Sequence, residues 1–217
     1  TPAEKDECKL QAAKANSKLD KQGNIVADIT RISKGTQYDN NYTIENKSNE
    51  DLKKHYKSSI WSYNNNLEIN NIKLINNKDE VIFTEKLNVS IYDFASKNNN
   101  EYLFRVNVFN RNNYIPKRYR DRKLPLKIER GYKDIDEYTI EIPSNYTLNI
   151  LPEKKEIKNK FGYYKVTLEP LNENTLIYKK TLLIKAGIYP KEDYKLYRSF
   201  RKKVAKYENL RIALTKK

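Results

Sequence analysis

The sequence predicts a mainly β protein of two antiparallel β-sandwich-like modules, with a C-terminal helix packed on the second sheet. Three observations carry this. Apolar and polar residues alternate in 81–91, 102–108 and 137–142, the period-2 pattern of half-buried strands. Polar turn clusters separate these stretches at short intervals, as in a meander. The 18 Tyr, 6 Phe and single Trp among 217 residues supply bulky side chains suited to pleated sheet, although only 38% of the chain is apolar.

Residues 8–19 form a candidate strand, and Asp20-Lys21-Gln22-Gly23-Asn24 turns it, with Gly23 free to take positive φ, into a second strand at 25–33. Ser48-Asn49-Glu50-Asp51 reads as a helix start, because Ser48 can cap and the acids suit the first turn; this helix ends near Ser58. A strand at 67–75 turns through Asn76-Asn77-Lys78-Asp79 into 81–91, where Val81, Phe83, Leu87, Val89 and Ile91 share one face. The cluster 96–100 then joins 81–91 to 102–108 as a hairpin.

After Asn110-Arg111-Asn112-Asn113 comes the basic segment 117–123, taken as the junction between modules 1–114 and 115–217. Tyr138, Ile140 and Ile142 alternate with Glu137, Thr139 and Glu141, and further strands fit 147–151, 154–159, 162–169 and 174–185. The helix, about 190–206, starts at Pro190, whose missing N–H costs nothing there, with Glu192 and Asp193 in its first turn. Tyr194, Leu196, Tyr197, Phe200 and Val204 fall on one broad face, and Lys191, Lys195, Arg198 and Lys202 on another. Residues 208–214 close the chain as a last strand.

The net charge of +15 is unevenly spread. Residues 116–217 hold 26 Lys or Arg against 13 Asp or Glu, and residues 1–115 hold 17 against 15. Charge speaks to partners more than to fold. Lys117, Arg118, Arg120, Arg122, Lys123, Lys195, Arg198 and Lys202 are therefore the candidate polyanion-binding residues, with Tyr119 and Tyr132 available to stack. An anionic glycan is the expected ligand class; no nucleic-acid fold signature is present. No apolar run approaches the roughly 20 residues of a transmembrane helix.

Catalytic chemistry finds little support. Cys8 and His55, the single Cys and His, would need an activating environment to act as nucleophile and base, and too few N/S ligands exist for zinc. Alternation places Glu137 and Glu141 on a solvent face, and Asp134 and Asp136 remain only a remote cation site. No phosphate-binding glycine loop or Gly-x-Ser-x-Gly elbow occurs, and no cofactor is implied. The chain opens on Thr-Pro-Ala and lacks Met, so it is expected to be a piece of a longer protein.

The segment from Leu124-Pro125-Leu126-Lys127-Ile128-Glu129-Arg130-Gly131-Tyr132 to Ile142-Pro143, with Phe161-Gly162-Tyr163-Tyr164, Leu176-Ile177-Tyr178-Lys179, Gly187-Ile188-Tyr189-Pro190 and Tyr197-Arg198-Ser199-Phe200, resembles the C-terminal β domain of bacterial transglutaminase-like proteins. Gly35-Thr36-Gln37-Tyr38 resembles, more thinly, the linker after the catalytic core. The resemblance is dense over 115–214. It implies a non-catalytic accessory β region of a periplasmic or cell-envelope protein, whose partner is an upstream transglutaminase-like domain of the parent chain. The family's Cys, His and Asp triad lies upstream of the matching region, and no residue here matches it.

Overall fold

The structure is a computed structural model that describes Asp6 and residues 9–217. Cys8 and the start of the strand expected from residue 8 lie outside the described residues. The N-terminal half builds β1 (Leu10–Leu19), β2 (Ile25–Lys34), α1 (Thr36–Asn41), α2 (Asn49–His55), β3 (Leu67–Asn77), β4 (Ile82–Ile91), β5 (Ser96–Asn98) and β6 (Glu101–Arg105). The C-terminal half builds β7 (Leu126–Ile128), β8 (Tyr132–Glu141), β9 (Tyr146–Leu148), β10 (Lys155–Asn159), β11 (Gly162–Asn172) and β12 (Thr175–Ile184). It closes with β13 (Gly187–Tyr189), α3 (Tyr194–Glu208) and β14 (Arg211–Lys216). Among the described residues, no helix is long and apolar enough to cross a membrane.

Eight strands form one mixed sheet in the order β10-β11-β12-β8-β1-β2-β4-β3. Its two antiparallel halves, β10-β11-β12-β8 and β1-β2-β4-β3, meet where β1 runs parallel to β8, in register from Leu10↔Lys133 to Lys18↔Glu141. A smaller sheet, β5-β6-β14-β9, pairs β6 from one half with β14 from the other. Strands of both expected modules, 1–114 and 115–217, therefore share the same sheets. The fold is mainly β with a C-terminal helix, as expected, and its largest sheet is mixed and continuous across the 111–123 junction rather than divided into two antiparallel sandwiches. Alternation fixes the face of a strand and says nothing of its neighbour, which is why this seam is invisible in the sequence.

Other expectations shift for local reasons. The β1–β2 turn forms as read, with Gly23 at φ +89° and Asp20 Oδ1 accepting from the backbone N–H of Gln22 and Asn24 at 2.8 and 2.9 Å. Ser48 caps α2, its Oγ accepting from Asp51 N at 3.1 Å. The hairpin expected between 81–91 and 102–108 does not form: β4 pairs with β2 and β3, whereas β6 pairs with β5 and β14. Val81 belongs to the preceding turn, at φ +54°, rather than to the buried face. Leu196 is 51% exposed; the buried stripe of α3 runs through Tyr194, Tyr197, Phe200, Arg201, Val204 and Glu208 instead.

One face of the large sheet is solvent-exposed and laced with ion pairs such as Lys18–Glu141 at 2.7 Å. Glu137 and Glu141 lie on it, as alternation places them. The other face is covered by the helical segments, by the extended segment 106–112 and by α3. A relay of rings crosses this interior: Tyr56 on Trp61, Trp61 on Phe109, Phe109 on Tyr138 and Tyr138 on Tyr178, with centroids 5.3–5.6 Å apart. Trp61 Nε1 donates to Phe109 O at 2.8 Å, so the indole is buried without an orphaned donor.

Candidate binding face and buried ion network

The segment 114–123 has no strand partner, so its carbonyls need donors from elsewhere. Helix α3 supplies them. Arg201 Nε donates to Tyr114 O at 3.2 Å, Arg198 Nε to Pro116 O at 3.0 Å and Tyr194 OH to Lys117 O at 2.5 Å. These three side chains sit at i, i+4 and i+7, one stripe of the helix facing three nearby carbonyls. Arg122 completes the contact, with its guanidinium carbon 4.3 Å from the centre of the Tyr194 ring.

The helix therefore brings the two parts of the predicted basic patch together. Lys117, Arg118, Arg120, Lys195 and Lys202 are exposed. Lys123 is exposed but pairs with Asp121 at 2.6 Å. Arg122 and Arg198 are half-buried, and their guanidiniums also serve the backbone, Arg122 Nη2 donating to Pro125 O at 2.9 Å. Between segment and helix lies a groove of about 530 Å³ lined by Lys117, Tyr119, Arg122, Leu126 and Tyr194. Tyr119 stands edge-on to Tyr194, while Tyr132 is turned inward and accepts from Asn112 Nδ2 at 2.8 Å and from Arg201.

A second set of charges escaped the sequence reading. Glu85, Arg31, Ala13, Asp136 and Lys180 are directly opposed neighbours across β4, β2, β1, β8 and β12, so they form one row on the covered face. The signs alternate around Ala13. Arg31 Nη1 meets Glu85 Oε1 at 2.9 Å, and Lys180 Nζ meets Asp136 Oδ2 at 2.5 Å; Glu85, Asp136 and Lys180 have fully buried side chains.

The three protons of the Lys180 ammonium find three acceptors: Asp136, Asn110 O at 2.7 Å and Glu208 Oε2 at 3.4 Å. Segment 106–112 donates to both acids in return, although Glu208 Oε1 has no hydrogen-bond partner among the described residues. Asn110 Nδ2 donates to both Asp136 oxygens, and Asn107 Nδ2 and Asn112 N donate to Glu208 Oε2 at 2.8 Å each. Burial alone would lower the Lys180 pKa, but Asp136, Glu208 and Asp134 together hold it well above the usual lysine value. Burial raises Glu208, with Lys180 opposing.

The carboxylate once available for a cation site, Asp136, thus already holds one, the ammonium of Lys180. Asp134 accepts from Gln37 Nε2 at 2.9 Å. Among the described residues, no group of three or more His, Cys, Asp or Glu is placed to hold a metal ion. His55, at the end of α2, lies edge-on to Tyr56, and partial burial followed by Lys47 lowers its pKa.

Residues 100–214, from β6 through β14, match the family described as a domain of unknown function with a solved structure, DUF3858. This is more than half of the chain, and the protein belongs to that family. The match starts upstream of the expected 115–214 and takes in β6, the strand that pairs with β14 at the far end. No curated protein matches the sequence. Among solved structures, one from Parabacteroides distasonis described as a "putative protease" is similar at 17% identity and a TM-score of 0.34, over 41% of this chain and 19% of that one. None of these similarities bears on the transglutaminase-like connection expected from the sequence.

Proposed function

We propose that this chain is a non-catalytic accessory β region of a larger, transglutaminase-like protein of the cell envelope or periplasm. The observation that supports the reading is a sealed network of charged side chains in the interior. Asp136, Lys180 and Glu208 are fully buried and spend their hydrogen bonds on one another and on segment 106–112. Such a network fixes how strands, segment and helix meet, and it offers a substrate no access. The test is an assay of the purified chain for transamidation of a fluorescent amine onto casein and for peptidase turnover. No turnover above buffer is expected, and Cys8→Ala and His55→Ala should behave as the parent. Turnover that either substitution abolishes would overturn the proposal.

A second reading, a polyanion- or glycan-binding module, is favoured by one observation: α3 gathers exposed Lys117, Arg118, Arg120, Lys195 and Lys202 beside an aromatic groove. It predicts heparin retention that weakens steeply with salt as counterions are exchanged. Elution no later than that of the Lys117→Gln/Arg118→Gln/Lys195→Gln/Lys202→Gln variant would remove it.

A further inference from the structure

Away from that basic face, Arg105 and Arg211 stand directly opposite each other across the β6–β14 ladder. Like charges in that position destabilise a sheet. A third guanidinium, Arg111, joins them around a pocket of about 290 Å³. None of the three forms an ion pair with a described acid, although Asp93 sits on the rim. Arg105 Nε is buried without a partner among the described residues.

Arg111 is held in place. Its Nε donates to Asn107 O at 2.7 Å and its Nη2 to Asn64 Oδ1 at 3.2 Å, while the guanidinium lies 4.2 Å from the centre of the Tyr63 ring. Its Nη1 has no partner among the described residues. Burial, and then Arg105 and Arg211, lower its pKa to about 10 against the pull of Tyr63 and Glu208. Burial followed by Arg211 lowers Arg105 as well. The remaining wall is made of Asn64, Asn65 and Asn66 with the rings of Tyr63 and Tyr92.

We propose that this pocket binds the phosphate or sulfate ester group of a monosaccharide-sized ligand. The guanidiniums of Arg105 and Arg211, with Nη1 of Arg111 beside them, suit a doubly charged tetrahedral oxyanion, which would relieve the repulsion that the bare sheet carries. The amides and tyrosine rings offer hydrogen bonds and flat faces to a sugar body, and the volume lies at the small end of ligand pockets. The site stands apart from the groove beside α3 and is independent of the accessory role.

Titration calorimetry of the whole chain at about 50 mM NaCl, where screening is modest, tests this with glucose 6-phosphate, glucose 6-sulfate, inorganic phosphate and glucose. At least one ester should bind with a dissociation constant below about 1 mM, and the tighter of the two identifies the natural group. Inorganic phosphate should bind about tenfold more weakly or worse, and glucose not detectably. Arg105→Gln/Arg211→Gln should lose about tenfold or more in ester affinity while raising the ligand-free melting temperature, so the loss of affinity cannot come from unfolding. Lys117→Gln/Lys195→Gln should bind as the parent does. Absence of ester binding below about 10 mM, full affinity in the double arginine variant, or equal loss in the lysine variant would overturn the site. Inorganic phosphate binding as tightly as the esters would overturn its assignment to a sugar ester.

Discussion

Lys180 and Asp136 face each other on neighbouring antiparallel strands with ammonium and carboxylate 2.5 Å apart, both fully buried. Desolvating two charges is expensive, and such a pair is sustained only if every remaining donor and acceptor is matched. Asn110 supplies that match from both ends: its carbonyl accepts from Lys180 and its amide donates to Asp136. The pair therefore does more than join β8 to β12. It pins segment 106–112 onto the sheet.

Removing the lysine while keeping both acids should be costly. Lys180→Met leaves Asp136 and Glu208 buried without their cation, and a loss of about 3–5 kcal/mol is expected from urea unfolding at neutral pH. Lys180→Met/Asp136→Asn should lose less than the two single changes added together, because the unpaired charge has been removed with its partner. A loss below about 1 kcal/mol for Lys180→Met would show that the row of charges contributes little to stability.

The rungs from α3 predict a kinetic signature. Segment 114–123 is rich in trypsin sites and is held on the helix by Tyr194, Arg198, Arg201 and Arg122. Arg201→Met removes donors to Tyr114 O, Asn112 and Tyr132 at once. Trypsin should then cut within 117–123 several-fold faster than in the parent, at a temperature where the remainder of the chain stays intact. Equal cleavage rates would mean that the helix does not hold the segment.

Much of this was written in the alternation, and the rest could not be. Tyr138 and Ile140 fix the inward face of β8, and two more steps back place Asp136 and Asp134 on it; Lys180 likewise sits between inward Tyr178 and Leu182. That charges lie inside is legible at these positions. That they find each other is not, because it depends on β12 lying beside β8. The same silence hides Arg31 opposite Glu85 and Arg105 opposite Arg211. On α3, the lysine-rich composition masks Arg201 and Glu208, two charges at the helical spacing of the apolar stripe.

That stripe also makes the helix a core element. Phe200 is 2% exposed, and Tyr197 meets Phe161 with ring centroids 5.3 Å apart. Phe200→Ala should cost about 3–5 kcal/mol, whereas Lys195→Ala and Lys202→Ala, both exposed, should each change stability by less than about 0.5 kcal/mol. Denaturant melts in which Phe200→Ala is as harmless as the lysine changes would remove α3 from the core.

Stability should fall as pH rises, and Asp134 is the residue that tests it. Burial raises its pKa to about 7, with Asp136 and Glu208 adding to the effect and Lys180 and the Gln37 hydrogen bond opposing it. In the unfolded chain the same carboxyl titrates near 3.9. Between those values the folded state holds a proton that the unfolded state has released, so this group's contribution is fully present below about pH 4 and is lost as pH climbs toward 7. At about 1.4 kcal/mol per unit the loss amounts to about 4 kcal/mol. Asp134→Asn cannot ionise and keeps a carbonyl to accept from Gln37, so it should match the parent near pH 4 and exceed it in stability at pH 8. Burial raises Glu208 too, but that slope is common to both proteins, and their difference isolates Asp134. Urea midpoints measured at pH 4.5, 6 and 8 decide the matter: a gap between variant and parent that does not widen with pH would mean that Asp134 is ionised in the folded protein throughout.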